Sequence, residues 1–116
     1  MASSKEYLNF ILDQISGLNG ISYRAMMGEF IIYYYGKVAG GIYDDRLLIK
    51  PVKAAMKLVP DGRMELPYEG GKEMLLVEDV DNREFLEKLF TAIYEELPEA
   101  KKTVNGHYTR TGKEIR

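Results

Sequence analysis

The sequence predicts an α+β domain of two layers, an antiparallel sheet of about five strands with an N-terminal helix, a short middle helix and a C-terminal helix packed on it. Three observations carry this. Apolar residues recur at three- and four-residue steps near the start and again after residue 80, as on the buried face of a helix. Between them the period shortens, and β-branched and aromatic residues take over. The turns in that stretch are short and carry glycine or aspartate, which returns the chain antiparallel. A chain of 116 residues suits one core of ordinary size.

Leu8, Ile11, Leu12, Ile15 and Leu18 share one face of the first helix. Ser3 with Glu6 predicts a capping box at its start, hydroxyl and carboxylate each meeting an orphan amide. Gly17 and Asn19-Gly20 end it. Ile21, Tyr23 and Ala25 then alternate with Ser22, Arg24 and Met26, and Gly28 separates this strand from Phe30–Tyr35. A turn at Tyr35-Gly36-Lys37 leads into Val38–Tyr43, and one at Asp44-Asp45 into Arg46–Lys50. Gly40-Gly41 predicts a bulge or a close backbone approach. Pro51 suits the first turn of a short helix with Val52, Ala55, Met56 and Val59 as its stripe. Residues 63–67 and 74–78 read as further strands, the first weakened by Pro67. Asp81 as cap, Glu84 as box partner and Val80 as staple on Phe85 open the last helix, whose Phe85, Leu86, Leu89, Phe90, Ile93, Tyr94 and Leu97 cover the sheet before Pro98.

Residues 1–98 form the expected domain and 99–116 a basic, flexible tail. Positions 100–116 hold five basic residues and one acidic, a net +4, so residues 1–99 carry −6 of the chain's −2. An acidic body repels a phosphate backbone. No apolar run approaches the roughly 20 residues that span a bilayer, and the polar start lacks a signal core, so the expected location is cytoplasmic.

The residue inventory excludes several chemistries. With no cysteine there is no disulfide, thiolate site or thiol nucleophile. The single histidine, His107, lies in the tail, so no Ser-His-Asp arrangement has a base, and zinc lacks ligands. Asp79–Glu84 fails as a calcium loop because Glu84 stands where the turn glycine belongs. Asp44-Asp45 reads as a turn before it reads as an acid-base pair. Lys50, Lys53 and Lys57 read as a solvated face of the short helix. No catalytic constellation, cofactor or metal is expected.

The tyrosines stand out. Alternation puts Tyr33 and Tyr35 on one face of their strand and Tyr34 on the other, with Tyr23 and Tyr43 on neighbouring strands. The run Tyr23–Tyr33, with Gly36-Lys37, Gly40-Gly41-Ile42-Tyr43, Arg46–Pro51 and Leu66-Pro67-Tyr68, resembles the TfoX amino-terminal domain family over about residues 3–98. The resemblance implies a compact two-layer domain with an antiparallel sheet and kinship with regulators of bacterial natural competence. It supplies no catalytic residues. Glu29 and Ile31 stand where many members have further glycines, which removes a glycine-rich phosphate cradle from this loop.

The expected function is therefore a non-enzymatic regulatory or protein-interaction domain, monomeric or homodimeric. It would bind a protein through a sheet edge or the tyrosine-bearing face, with Tyr34, Tyr43, Arg46 and Tyr68 as contacts. The alternative is a small-ligand site in which Arg24, Tyr33, Arg46 and Lys50 converge on an anionic group. A third reading is weak nucleic-acid binding through Lys101, Lys102, Arg110, Lys113 and Arg116.

Overall fold

The computed structural model of the chain describes residues 3–98. Helix α1 (Lys5–Gln14) leads into strands β1 (Ile21–Met26), β2 (Glu29–Tyr34), β3 (Lys37–Ile42) and β4 (Leu47–Ile49). Helix α2 (Lys53–Leu58), strands β5 (Met64–Glu65) and β6 (Met74–Val77), helix α3 (Arg83–Ile93) and a 3-10 turn, Tyr94–Glu96, complete it. All strands join one antiparallel sheet in the order β1-β2-β3-β4-β6-β5. The α+β expectation holds. The sheet has six strands because the short segment before Pro67 pairs two residues, Met64 with Leu75 and Glu65 with Met74. It stops there because proline has no amide for a ladder. The expected tail, residues 99–116, lies outside the described residues.

The first four strands are joined by three two-residue hairpins. Met27-Gly28, Tyr35-Gly36 and Asp44-Asp45 occupy them, all six residues at positive φ between 49° and 87°. Two left-handed residues in succession make the type I′ turn, whose twist matches the right-handed twist of the flanking strands. The third closes with reciprocal bonds between Tyr43 and Arg46, at 2.9 and 3.0 Å. Tyr35 is thus a turn residue, and its ring swings back to lie 4.9 Å from Tyr34 and 5.9 Å from Tyr94. The expectation that it shares a face with Tyr33 is corrected.

Register then decides the faces. Ile32, Ile42, Leu47, Ile49, Leu75 and Val77 point to the helix side and join Leu8, Ile11, Ile15, Leu86, Leu89, Phe90 and Ile93 in the main core. Two glycines let strands approach where a side chain would not fit. A Cβ on Gly40 would lie 2.7 Å from Ile49 Cα, and one on Gly41 would lie 2.6 Å from the Phe30 carbonyl oxygen. The register shift beside Ile32/Tyr33 falls in the same place, as expected for this pair.

The N-caps of α1 and α3 each fall one residue after the expected position, and the helices stop earlier than expected, α1 at Gln14 and α3 at Ile93. Ser4, not Ser3, caps α1, its Oγ accepting from the Tyr7 amide at 3.0 Å. Asn82, not Asp81, caps α3 through Phe85 N at 3.1 Å. Ser3 instead donates to Glu29 Oε1 at 2.6 Å and accepts from the Asp45 amide at 3.1 Å. Pro51 sits outside α2, whose cap position is Val52. Its orphan amide at Ala54 is met by Glu96 Oε1 from the 3-10 turn, at 2.8 Å. Met56, expected on the buried stripe, is exposed, while Ala55 is fully buried.

Two substitutions test the backbone account. Gly40→Ala should lower stability by about 1–3 kcal/mol, because backbone rather than a flexible side chain must move. Met27→Asn should raise it by about 1 kcal/mol, because Asn tolerates the left-handed region and Asn-Gly favours this turn. Urea unfolding midpoints measure both. A neutral Gly40→Ala would show that the β3–β4 approach is looser than described.

Candidate functional site

All three helices lie on one side of the sheet, and the other side carries the residues of interest. Since Tyr34 and Ile32 face the core, Tyr33 and Ile31 face away from it, and their partners place Ser22, Arg24, Val38 and Gly41 on the same face. Leu48 and Leu76 continue that row across β4 and β6. The face has two halves. Over β4 and β6, Tyr43, Leu48, Met74 and Leu76 form a small buried cluster of their own. Over β1 to β3, Ile31, Tyr33 and Val38 stay half-buried beside exposed Ser22 and Arg24.

The absence of a side chain at Gly41 explains where Tyr43 lies. A Cβ there would meet the Tyr43 ring at 2.7 Å, so the ring rests across the glycine. Tyr68, from the loop after β5, adds its ring at 6.1 Å. Burial pushes the Tyr43 phenol above its ordinary pKa, helped by Tyr68, Glu29 and Tyr33. On α1, Tyr7 is also raised, first by burial and then by Asp45 and Asp81.

Arg46 is fixed by three contacts. Its Nε donates to the Tyr43 carbonyl at 3.0 Å, Nη1 pairs with Glu65 Oε1 at 2.6 Å, and Nη2 donates to the Leu66 carbonyl at 3.2 Å. It ties the β3–β4 turn to β5 and to the loop that carries Tyr68, so its role is to position. Arg24 and Lys50 differ. Neither has a side-chain partner among the described residues. Arg24 is exposed on β1, and Lys50 continues β4 with its backbone amide bonded to the Ala39 carbonyl at 2.9 Å.

The structure therefore gathers Tyr43, Arg46 and Tyr68, places Tyr33 beside them, and sets Arg24 and Lys50 on opposite flanks. Tyr34 is not among them. Only 7% exposed, it packs edge-on against Phe90 at 6.3 Å and Tyr94 at 5.5 Å, so its expected place on a partner surface is corrected. Tyr43 is itself buried, at 8% exposure within the Leu48, Met74 and Leu76 cluster, so its expected place as a partner contact is corrected as well. Three strand spacings separate Arg24 from Lys50, about 14 Å across the sheet. Two surface depressions, of about 320 and 460 Å³, are lined by other residues, around Val59 and Phe85 and around Leu18 and Glu87.

Sequence reasoning overlooked Ile31 and Val38, whose exposure on this face follows from register alone, and the capping role of Glu96. The alternation of Ile31 with Ile32 held the first signal. Among the described residues no cluster of three or more His, Cys, Asp or Glu is arranged to hold a metal ion, and no helix is long and apolar enough to cross a membrane. The basic residues of the expected nucleic-acid surface, at 101–116, lie outside the described residues.

A curated protein of Spirochaeta aurantia, described as the uncharacterized 12.7 kDa protein in the trpE 5′ region, is 31% identical over 80 residues, which cover 69% of this chain and 70% of that protein. The chain belongs to the same family as that protein. No protein-family model and no solved structure matches it.

The Tyr43 environment makes a pH prediction. A phenol raised in the native state above its unfolded value of about 10 holds its proton more tightly when folded. Its contribution to stability is complete below that value and is lost as pH rises through the folded pKa. Unfolding free energy should therefore fall above about pH 10, and Tyr43→Phe should flatten part of that fall while changing stability at neutral pH by less than about 1 kcal/mol. Denaturant titrations of both proteins from neutral to alkaline pH provide the check. An equally steep fall in the variant would show a solvated phenol.

Proposed function

We propose that this member of the family is a non-enzymatic protein-interaction domain of regulatory type, acting in the cytoplasm, whose partner lies across the helix-free face of the sheet. One observation supports the reading above the others. Half-exposed Ile31, Tyr33 and Val38 form an apolar and aromatic strip flanked by Arg24 and Lys50, two cations without side-chain partners among the described residues. Tyrosine and arginine are the residues that protein interfaces favour, because each joins a large contact area to a hydrogen-bonding end. A strip of this kind suits an extended or gently curved segment with apolar side chains and acidic groups at its flanks. The otherwise acidic body repels acidic segments elsewhere, which gives the contact its register. The likeness to TfoX amino-terminal domains noted from the sequence is in keeping with a regulatory role, and a link to competence is part of the same proposal.

A small anionic ligand fits this surface less well. Such ligands occupy concave sites with convergent polar groups, whereas Arg24 and Lys50 stand apart and Arg46 is already bonded to Glu65. Tyr33 alone does not make a pocket.

Arg24→Glu combined with Lys50→Glu should reduce capture of the partner from a lysate of the source organism about tenfold or more, while Lys57→Glu on α2 leaves it unchanged. Amide shifts in the wild-type protein should then cluster at Ile31, Tyr33 and Val38. Equal capture by the charge-reversed protein would overturn the assignment. Shifts at those residues produced by the small-molecule filtrate alone would replace it with a ligand site.

A further inference from the structure

The two edges of the sheet are built differently. β5 is two residues long and runs into Pro67, so it offers almost nothing to a further strand. β1 is six residues long, with an unbroken register to β2 and no proline. The Tyr35 amide donates to the Gly20 carbonyl at 2.8 Å. Antiparallel alternation from that pair turns the backbone groups of Ser22, Arg24 and Met26 toward β2 and those of Ile21, Tyr23 and Ala25 outward. Among the described residues nothing bonds to these outward amides and carbonyls. Tyr23 and Met26, about 43–44% exposed, and Met27, 96% exposed, lie on this strand and its turn. A free edge bordered by exposed apolar side chains is a pairing template that folded proteins otherwise block.

We propose that a second copy of this chain pairs antiparallel along β1 about a two-fold axis at Tyr23, joining two six-stranded sheets into one of twelve strands. The register follows from the residues. With Tyr23 opposite Tyr23 of the second copy, Ile21 meets Ala25 and every outward amide and carbonyl of the strand finds a partner. Arg24 then faces Ser22 of the second copy, on the open face. A shift of two residues one way sets the two Arg24 side chains head-on, and like charges directly opposed destabilise a strand pair. The opposite shift draws in Asn19 and leaves part of β1 unpaired. Only the Tyr23-centred register satisfies the whole edge without opposing charges. A two-fold antiparallel pair is isologous, so a single strand supplies both halves of the interface. The two tyrosine rings meet across the axis on the helix side, an aromatic cross-strand pair that covers the exposed Tyr23 surface.

Ser22 carries the test, because it is exposed and its backbone pairs only with Tyr33 inside the monomer. Sedimentation equilibrium of the full chain should give twice the mass of the 13.3 kDa chain. Ser22→Arg, which sets a second guanidinium opposite each Arg24, should weaken association about tenfold, and Ser22→Glu should tighten it about tenfold. Tyr23→Pro removes the central outward donor while keeping the β1–β2 ladder, and should give a folded monomer by circular dichroism. Hydrogen exchange of wild-type protein should show the Ile21, Tyr23 and Ala25 amides becoming protected as concentration rises. A wild-type chain that stays monomeric overturns the proposal, as does a dimer indifferent to the charge at position 22 or one in which those amides exchange freely. Partner capture by a monomeric chain would leave the reading of the open face standing, since that rests on the face and not on the edge.

Discussion

Everything in this fold depends on the chain reversing direction three times within two residues. At each of the three turns both residues are left-handed. That conformation sets the twist of β1 to β4 and fixes their register to the residue, which decides which side chains meet the helices. A slip of one position would move Ile32 and Tyr34 out of the core and Tyr33 into it. The register is guarded a second time inside the sheet, where Gly40 and Gly41 leave room for Ile49 and for the Phe30 carbonyl. It is guarded a third time at the sheet end, where Ser3 and Ser4 bond Glu29 and Asp45 and so attach the start of α1 to two hairpins.

From that register the molecule divides its aromatic residues between two duties. Tyr34, Tyr35, Phe90 and Tyr94 fasten the β2–β3 hairpin to the end of α3, and Lys37 completes the contact with its Nζ 4.2 Å from the Tyr94 ring centre and bonded to the Tyr94 carbonyl at 3.3 Å. Tyr43 and Tyr68 shield Leu48 and its neighbours on the helix-free face, where no helix does so. This shielding covers only part of that face. What remains open, Ile31, Tyr33 and Val38, is left over because α1, α2 and α3 are all spent on one side. Among the described residues there is no third layer to cover them.

How much of this the sequence disclosed depends on the range of the interactions concerned. Helices, strands and the glycine pair were legible, because amphipathic period and turn composition are local properties. The caps were displaced by one residue because Ser3 and Ser4, and Asp81 and Asn82, are equally able to cap, and for the first pair the choice was made by a distant partner. Ser3 was claimed by Glu29, 26 positions away. The site was less legible. Alternation assigns Tyr33 and Tyr34 to opposite faces, yet gives no sign of which face the helices take, so neither the burial of Tyr34 nor the open position of Ile31 follows from it. Arg46 looked available because its consumer, Glu65, lies on a two-residue strand that composition barely marks.

The three turns also differ in how their strain is met. A left-handed non-glycine residue costs roughly 1–2 kcal/mol, so each needs an offset. Asp44 and Asp45 have one in their bonds to Glu29 and Ser4. Tyr35 has one in the rings of Tyr34 and Tyr94, and its own ring lies over Gly20. Met27 has no such contact, since it is 96% exposed at a φ of 54°, and nothing in the described fold explains a long apolar side chain there. It stands at the tip of β1, beside Met26 and the free edge. The position least justified by these contacts thus adjoins the edge whose outward amides and carbonyls, at Ile21, Tyr23 and Ala25, have no partner among the described residues.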